Sequence, residues 1–313
     1  MSKPSFALAA HLPPAEAASV APVFDSGAME SLSGGTGSVV TLAEAFRSVL
    51  AQGVHGLCFS PYLEGQAPGA QVSEAQIRQR LEVCRPHARW IRSFSCTDGH
   101  EQTPRIAHEL GLKTLVGAWL GADAEINVRE IDNVIALARA GCADLVAVGN
   151  EVLLRGDLTE DELIDCIARV KAALPGIPVG YVDAYFIFEN YPRVTAACDV
   201  VMANCYPFWE GCPREQALPY MRQMLEKTRA VSAGKRVIIS ETGWPHQGSP
   251  FHGALPGPTA AVQYFVETAV WAEREGIEWF HFAAFDEAWK VGAEGDVGAF
   301  WGLWDKDAKL KYL

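Results

Sequence analysis

The chain has 313 residues, 49 % of them apolar, which is enough for one large α/β barrel or for two ordinary domains. Its net charge of −12 opposes the phosphate backbone of nucleic acid and anionic lipid surfaces, so neither nucleic acid nor membrane insertion is expected. A neutral polar polymer fits that charge better, since it is held by aromatic faces and hydrogen bonds, and nine Trp, eight Tyr and fourteen Phe can supply the faces.

Residues 1–40 are rich in Ala, Pro, Ser and Gly, end in SLSGGTGS, and read as a flexible arm; residues 41–313 read as a single catalytic domain. The early apolar stretch FALAA is too short for a signal peptide, and no later run approaches the roughly eighteen apolar residues of a membrane span. A cytoplasmic location is therefore expected, or a periplasmic one if the natural chain is longer. The eight cysteines are scattered with no C-x-x-C pair and read as buried free thiols, with a Cys205–Cys212 disulfide as the alternative.

The folded part begins with the helical stretch TLAEAFRSVLAQG. Eight short β-rich runs then alternate with amphipathic stretches: HGLCFS, RWIRSFS, LKTLVGAWL, DLVAVGN, IPVGYVD, DVVMANCY, KRVIISE and IEWFHFAAF. The stretches between them include SEAQIRQRLEVC, EINVREIDNVIALARAG and TEDELIDCIARVKAALPG. In the last, Thr159 stands as N-cap with Glu162 completing a capping box, and Gly141 and Gly176 stand where helix-ending glycines belong. Eight strands with intervening helices over about 260 residues predict a (β/α)8 TIM barrel rather than an open doubly wound sheet.

In such a barrel the chemistry sits at the C-terminal ends of the strands. Those ends are rich in polar and aromatic residues here: Ser60, Tyr62, Arg92, Trp119, Asn150, Glu151, Asp183, Tyr185, Asn204, Tyr206, Glu241, Trp244, Asp286 and Glu287. The sharpest pair is Glu151, closing the fourth strand in AVGNE, and Glu241, closing the seventh in IISETGWP. Strands four and seven lie roughly across the mouth from one another. Retaining glycosidases need two carboxyl groups about 5 to 5.5 Å apart, one to attack the anomeric carbon and one to protonate the leaving oxygen. The bland alternative makes each glutamate a strand-end salt-bridge partner, but a carboxylate at the end of an apolar strand is costly unless used. Arg92 and Tyr62 are placed to line the cleft floor, with Arg92 favouring ionised carboxylates nearby. Asp183 and Tyr185 are further cleft candidates. Trp244, Trp209, Phe208, Trp301 and Trp304 are candidates for a sugar-stacking platform, Trp244 foremost because it follows Glu241 closely.

On the motifs VGNEVLLR, ISETGWP, NCYPFWEG, AAFDEAWK and EGDVGAFWGLWD the chain resembles glycoside hydrolase family 17, the β-1,3-glucanase and β-1,3-glucanosyltransferase family, in particular its bacterial branch, over about residues 54–313. The resemblance implies a TIM barrel, a retaining mechanism, Glu151 as acid/base and Glu241 as nucleophile. It further implies that Asn150 binds a sugar hydroxyl, that Tyr206 orients the nucleophile, and that Glu287 and Lys290 belong to the cleft. A β-1,3-glucan or gluco-oligosaccharide is then both substrate and acceptor, processed by hydrolysis, by transglycosylation or by both, with no cofactor and no metal. A non-catalytic β-glucan-binding barrel is the alternative reading. The long arm before the first strand, and the residues flanking Glu287 in FDEAWK, depart from the plant members of the family. Opposite protonation of the two glutamates predicts a bell-shaped activity profile on the acid side of neutrality.

Overall fold

The computed structural model describes residues 40–292 and 294–312. The arm expected over residues 1–40 lies outside the described residues except for its last position. Eight strands, β1 (Val54–Cys58), β2 (Ala88–Ser93), β3 (Lys113–Ala118), β4 (Leu145–Asn150), β5 (Val179–Ala184), β6 (Val200–Asn204), β7 (Arg236–Thr242) and β8 (Trp279–His281), close into a barrel in sequence order, every pair parallel. This is the TIM barrel that the alternating β-rich and amphipathic stretches predict. Among the described residues ten α-helices accompany it: α1 (Leu42–Gln52), α2 (Glu74–Cys84), α3 (Thr103–Glu109), α4 (Ala124–Arg139), α5 (Val152–Arg155), α6 (Glu160–Ala173), α7 (Ile187–Asn190), α8 (Pro192–Ala197), α9 (Ala217–Val231) and α10 (Pro258–Glu275).

Local chemistry sets the helix ends. Thr41 and Thr159 both cap through reciprocal boxes, with the Glu44 and Glu162 carboxylates accepting in return from the cap backbone amides, and Asp123 accepts from the amides of Glu125 and Ile126 at the start of α4. Gly141, just past α4, takes a left-handed φ of 78° as a helix-ending glycine should. Strands β1, β3 and β5 are buried almost throughout, because the barrel interior covers one face and the helices the other. All eight cysteines are free thiols, six of them buried, so Cys205 and Cys212 are not bonded to each other.

The barrel is irregular at the strand ends that carry Asn150, Asn204 and Glu241. The ladder shifts register between Ala147 and Asn150 on β4, at Asn204 on β6 opposite Glu241, and between Ile239 and Thr242 on β7. Such irregularities re-aim side chains at a strand's end. On β4 the break uses Gly149, at φ 86°, where a Cβ would come within 2.8 Å of the Val152 side chain.

Candidate active site

Glu151 is the turn residue between β4 and α5, at a left-handed φ of 51° that a non-glycine residue adopts only at a cost. Its amide donates to Val182 O of β5 (2.8 Å) and its carbonyl accepts from Arg155 N (2.9 Å), so the turn is anchored on both sides. Glu241 lies within β7, and both residues are only 5 % exposed.

The two are treated differently. Glu241 accepts at both oxygens: Arg92 Nη1 donates to Oε1 (2.5 Å) and the Tyr206 hydroxyl to Oε2 (2.6 Å). Arg92, 1 % exposed on β2, thus supplies a buried counter-charge, and its Nη2 donates to Asn150 Oδ1 (2.7 Å). Glu151 accepts from Asn204 Nδ2 (2.9 Å), and Asn204 Oδ1 accepts from Ser240 (2.9 Å). Burial first, and the Glu241 charge second, push the Glu151 carboxyl up to about 7. The two glutamates are thereby joined by two bridges, through Asn204 and Ser240 on one side and through Arg92 and Asn150 on the other.

The β8 loop closes one wall. Lys290 Nζ sits 3.0 Å from Glu287 Oε2 and 3.7 Å from Glu294 Oε1, and 4.1 Å over the Phe282 ring. Burial opposes the Lys290 charge, yet Glu287 and Glu294 more than offset it and hold the ammonium above its ordinary value. Glu294 was not singled out from the sequence. Burial first, then the charges of Glu287, Glu151 and Glu241 against the opposing pull of Lys290, push its carboxyl up to about 7.

The aromatic expectations divide. Trp244 is 1 % exposed, its ring edge-on to Phe208 and tilted against Tyr264, with Nε1 donating to Leu255 O (2.9 Å). Phe208 is wholly buried. Both are corrected from stacking surface to support, because a ring sealed on both faces has no face left for a sugar. Trp301 and Trp304 are also buried; Trp301 packs edge-on to Tyr206 and Phe208, and Trp209 is half-buried against it. Trp119, just past β3, has the exposed ring at the mouth, 38 % accessible, with the Arg155 guanidinium 4.7 Å over it.

Tyr62 is half-buried, its hydroxyl 3.0 Å from His100 Nε2 and its ring edge-on to Trp289. Tyr185 is buried edge-on to Phe186. Asp183 has no exposed surface, and its carboxylate is taken up by Tyr181 and by backbone amides, so it lies behind the cleft rather than in it. A separate concavity of about 810 Å³, lined by His55, Arg85, Arg89, Lys113, Arg236 and Glu278, shares no residue with the carboxylate pair.

An eight-stranded parallel barrel carrying two buried, linked carboxyl groups at the ends of β4 and β7 defines a glycoside hydrolase of the paired-carboxylate kind. Residues 56–302 match the BtgE/BtgC glycoside hydrolase domain, and the chain belongs to that family. It is 28 % identical over 265 residues to a glucan 1,3-beta-glucosidase of Arthroderma benhamiae, covering 76 % of this chain and 84 % of that one. The glycoside hydrolase family 17 β-1,3-glucanosyltransferase of Rhizomucor miehei is similar in structure, with a TM-score of 0.74 and 25 % identity over 83 % of this chain and 96 % of that one. An active-site mutant of the same enzyme in complex with laminaritriose matches with a TM-score of 0.75, at 25 % identity and the same coverage.

Proposed function

We propose that this protein is a retaining glycosidase that cleaves β-1,3-glucan by double displacement and passes the glycosyl group to water, to a second glucan, or to both. The observation that carries the reading is the unequal treatment of two neighbouring buried carboxyls: Glu241 has a donor on each oxygen, one of them the Arg92 guanidinium, whereas Glu151 is pushed up to about 7.

In the first step a Glu241 oxygen attacks the anomeric carbon while Glu151 gives its proton to the glycosidic oxygen. The carbon–oxygen bond breaks, the shortened glucan leaves, and the sugar is held as an ester on Glu241. In the second step the Glu151 carboxylate takes the proton of a water or of a sugar hydroxyl, whose oxygen displaces Glu241. The β configuration is restored. Asn150, its Oδ1 fixed by Arg92, is assigned to a hydroxyl of the reacting sugar through its amide nitrogen, and Tyr206 fixes the attacking carboxylate. Trp119 offers a ring face to the glucan, with Tyr62 and Trp289 on the β1 and β8 loops as further aromatic contacts. The substrate class is that in the names of the fungal relatives.

Incubation with laminaritriose alone, beside a Glu241→Ala control, tests the reading by product size. Shorter products mean hydrolysis, longer products among them mean transfer, and an unchanged trisaccharide contradicts the substrate assignment.

A further inference from the structure

Arg155, the last residue of α5, spans the distance between the exposed ring at the mouth and the turn that carries Glu151. Its Nη1 donates to Asn150 O (2.5 Å), the carbonyl just before Glu151, and its Nη2 donates to Leu120 O (2.9 Å), the carbonyl just after Trp119. Nε donates to Asp157 Oδ2 (2.6 Å), and the guanidinium lies 4.7 Å over the Trp119 ring, so the whole fork is engaged in a side chain only 7 % exposed. The β3 end that it reaches is braced from behind. Trp119 N donates to Glu130 Oε2 (3.0 Å), and Gly121 exchanges two hydrogen bonds with Asn127 of α4, at 2.8 and 2.7 Å. Glu130, 1 % exposed, also accepts from Cys96 N (2.7 Å) and from the hydroxyls of Ser95 (2.5 Å) and Thr97 (2.7 Å) in the loop after β2. Glu151, by contrast, holds a left-handed φ of 51°, a conformation that persists only where its surroundings fix it. Arg155 therefore ties a strained turn to a braced one.

We infer that Arg155 is a positioning residue that sets the length of glucan the enzyme prefers: it holds the Glu151 turn and the Trp119 ring in one geometry, so that a chain long enough to lie on the ring is presented in register to the acid/base. The inference rests on the proposed roles of Glu151 and Trp119 and goes beyond them, since it makes the two act as a unit. Binding at the ring then contributes to turnover as well as to affinity, because contact remote from the reacting bond is used to place that bond. The geometry of the fork carries the role, and its charge alone does not. A lysine keeps the positive charge but has a single nitrogen, which cannot meet two carbonyls and a carboxylate in fixed directions.

The test is kcat and KM of the full chain on laminaritriose and on laminarihexaose, with denaturant unfolding as the control for folding. In Arg155→Met, kcat on both sugars should fall by about tenfold or more, and the hexaose-to-triose ratio of kcat/KM should drop toward that of Trp119→Ala. Adding Trp119→Ala to Arg155→Met should lower the ratio no further, since the two residues act together. Arg155→Lys should behave like Arg155→Met, and it carries the same comparison if Arg155→Met does not fold. A wild-type ratio in either Arg155 variant, or losses in the ratio that simply add in the double variant, overturns the inference and leaves Arg155 a packing role. The reading beneath it fails separately: a wild-type enzyme inert on both sugars sinks the proposed function, and a Trp119→Ala ratio equal to wild type sinks the role of the ring, each taking the inference with it.

Discussion

The Asn204 amide donates to Glu151 Oε1 at 2.9 Å while its carbonyl oxygen accepts from Ser240, the residue before Glu241. One side chain on β6 therefore sets Glu151 relative to the strand that carries Glu241. The register shift at Asn204, which pairs it with Glu241, brings it there.

Asn204→Ala removes this link. The hydrogen bond is among the contacts that favour the charged form of Glu151, so its loss raises the proton affinity of the carboxyl further and moves the alkaline limb of activity to higher pH. The looser carboxyl should also lower kcat by about tenfold or more. A pH series on one oligosaccharide measures both, and a limb that moves to lower pH contradicts the assignment.

Arg92 and Glu241 form a buried ion pair, with side-chain exposures of 2 % and 7 %. Removing one partner leaves an uncompensated buried charge, so Arg92→Met should lower unfolding stability by about 3–5 kcal/mol in a denaturant titration. It should also nearly abolish turnover. A stable, active Arg92→Met protein would mean that the pair is dispensable.

Glu151→Ala should turn over unactivated glucan poorly but still form the glycosyl ester from an aryl glucoside whose leaving group needs no proton. Azide, which needs no general base, should then restore turnover by about tenfold or more and give the β-glycosyl azide. No rescue, or an α-azide, would show that Glu151 is not the acid/base.

Trp119 and Trp244 should respond in opposite ways. Trp119→Ala, at the mouth, should raise KM for longer oligosaccharides about tenfold and leave unfolding stability nearly unchanged. Trp244→Ala, in the aromatic layer, should lower stability by about 3–5 kcal/mol through the cavity it leaves. Binding and denaturation curves on the two variants settle which ring meets sugar.

The barrel was legible because each β-rich run is short, apolar and followed by an amphipathic stretch, and the Thr159–Glu162 capping box was legible because its spacing is local. Glu151 and Glu241 stand out in the sequence because both close apolar strands with a carboxyl group, and the structure buries both at those ends. Trp244 was misplaced because closeness along the chain to the nucleophile does not say which way the chain turns after β7. Asp183 was misplaced for a related reason: β5 is buried on both faces, so alternation cannot tell cleft from packing. Asn204 and Trp119 stood among the strand-end residues, but nothing local distinguished them. Glu294 comes from the β8 loop, whose path depends on the folded barrel.

The central claim, that Glu241 carries the sugar, is tested most directly by trapping it. A 2-deoxy-2-fluoro laminaribiosyl fluoride slows both steps, while its good leaving group keeps the first one going, so the ester accumulates. The account predicts one added 2-deoxy-2-fluoro-laminaribiosyl group per chain, located by peptide mass spectrometry on the peptide containing Glu241 and missing in Glu241→Gln. A label on another carboxylate, or an unlabelled enzyme that releases products of inverted configuration, would contradict it.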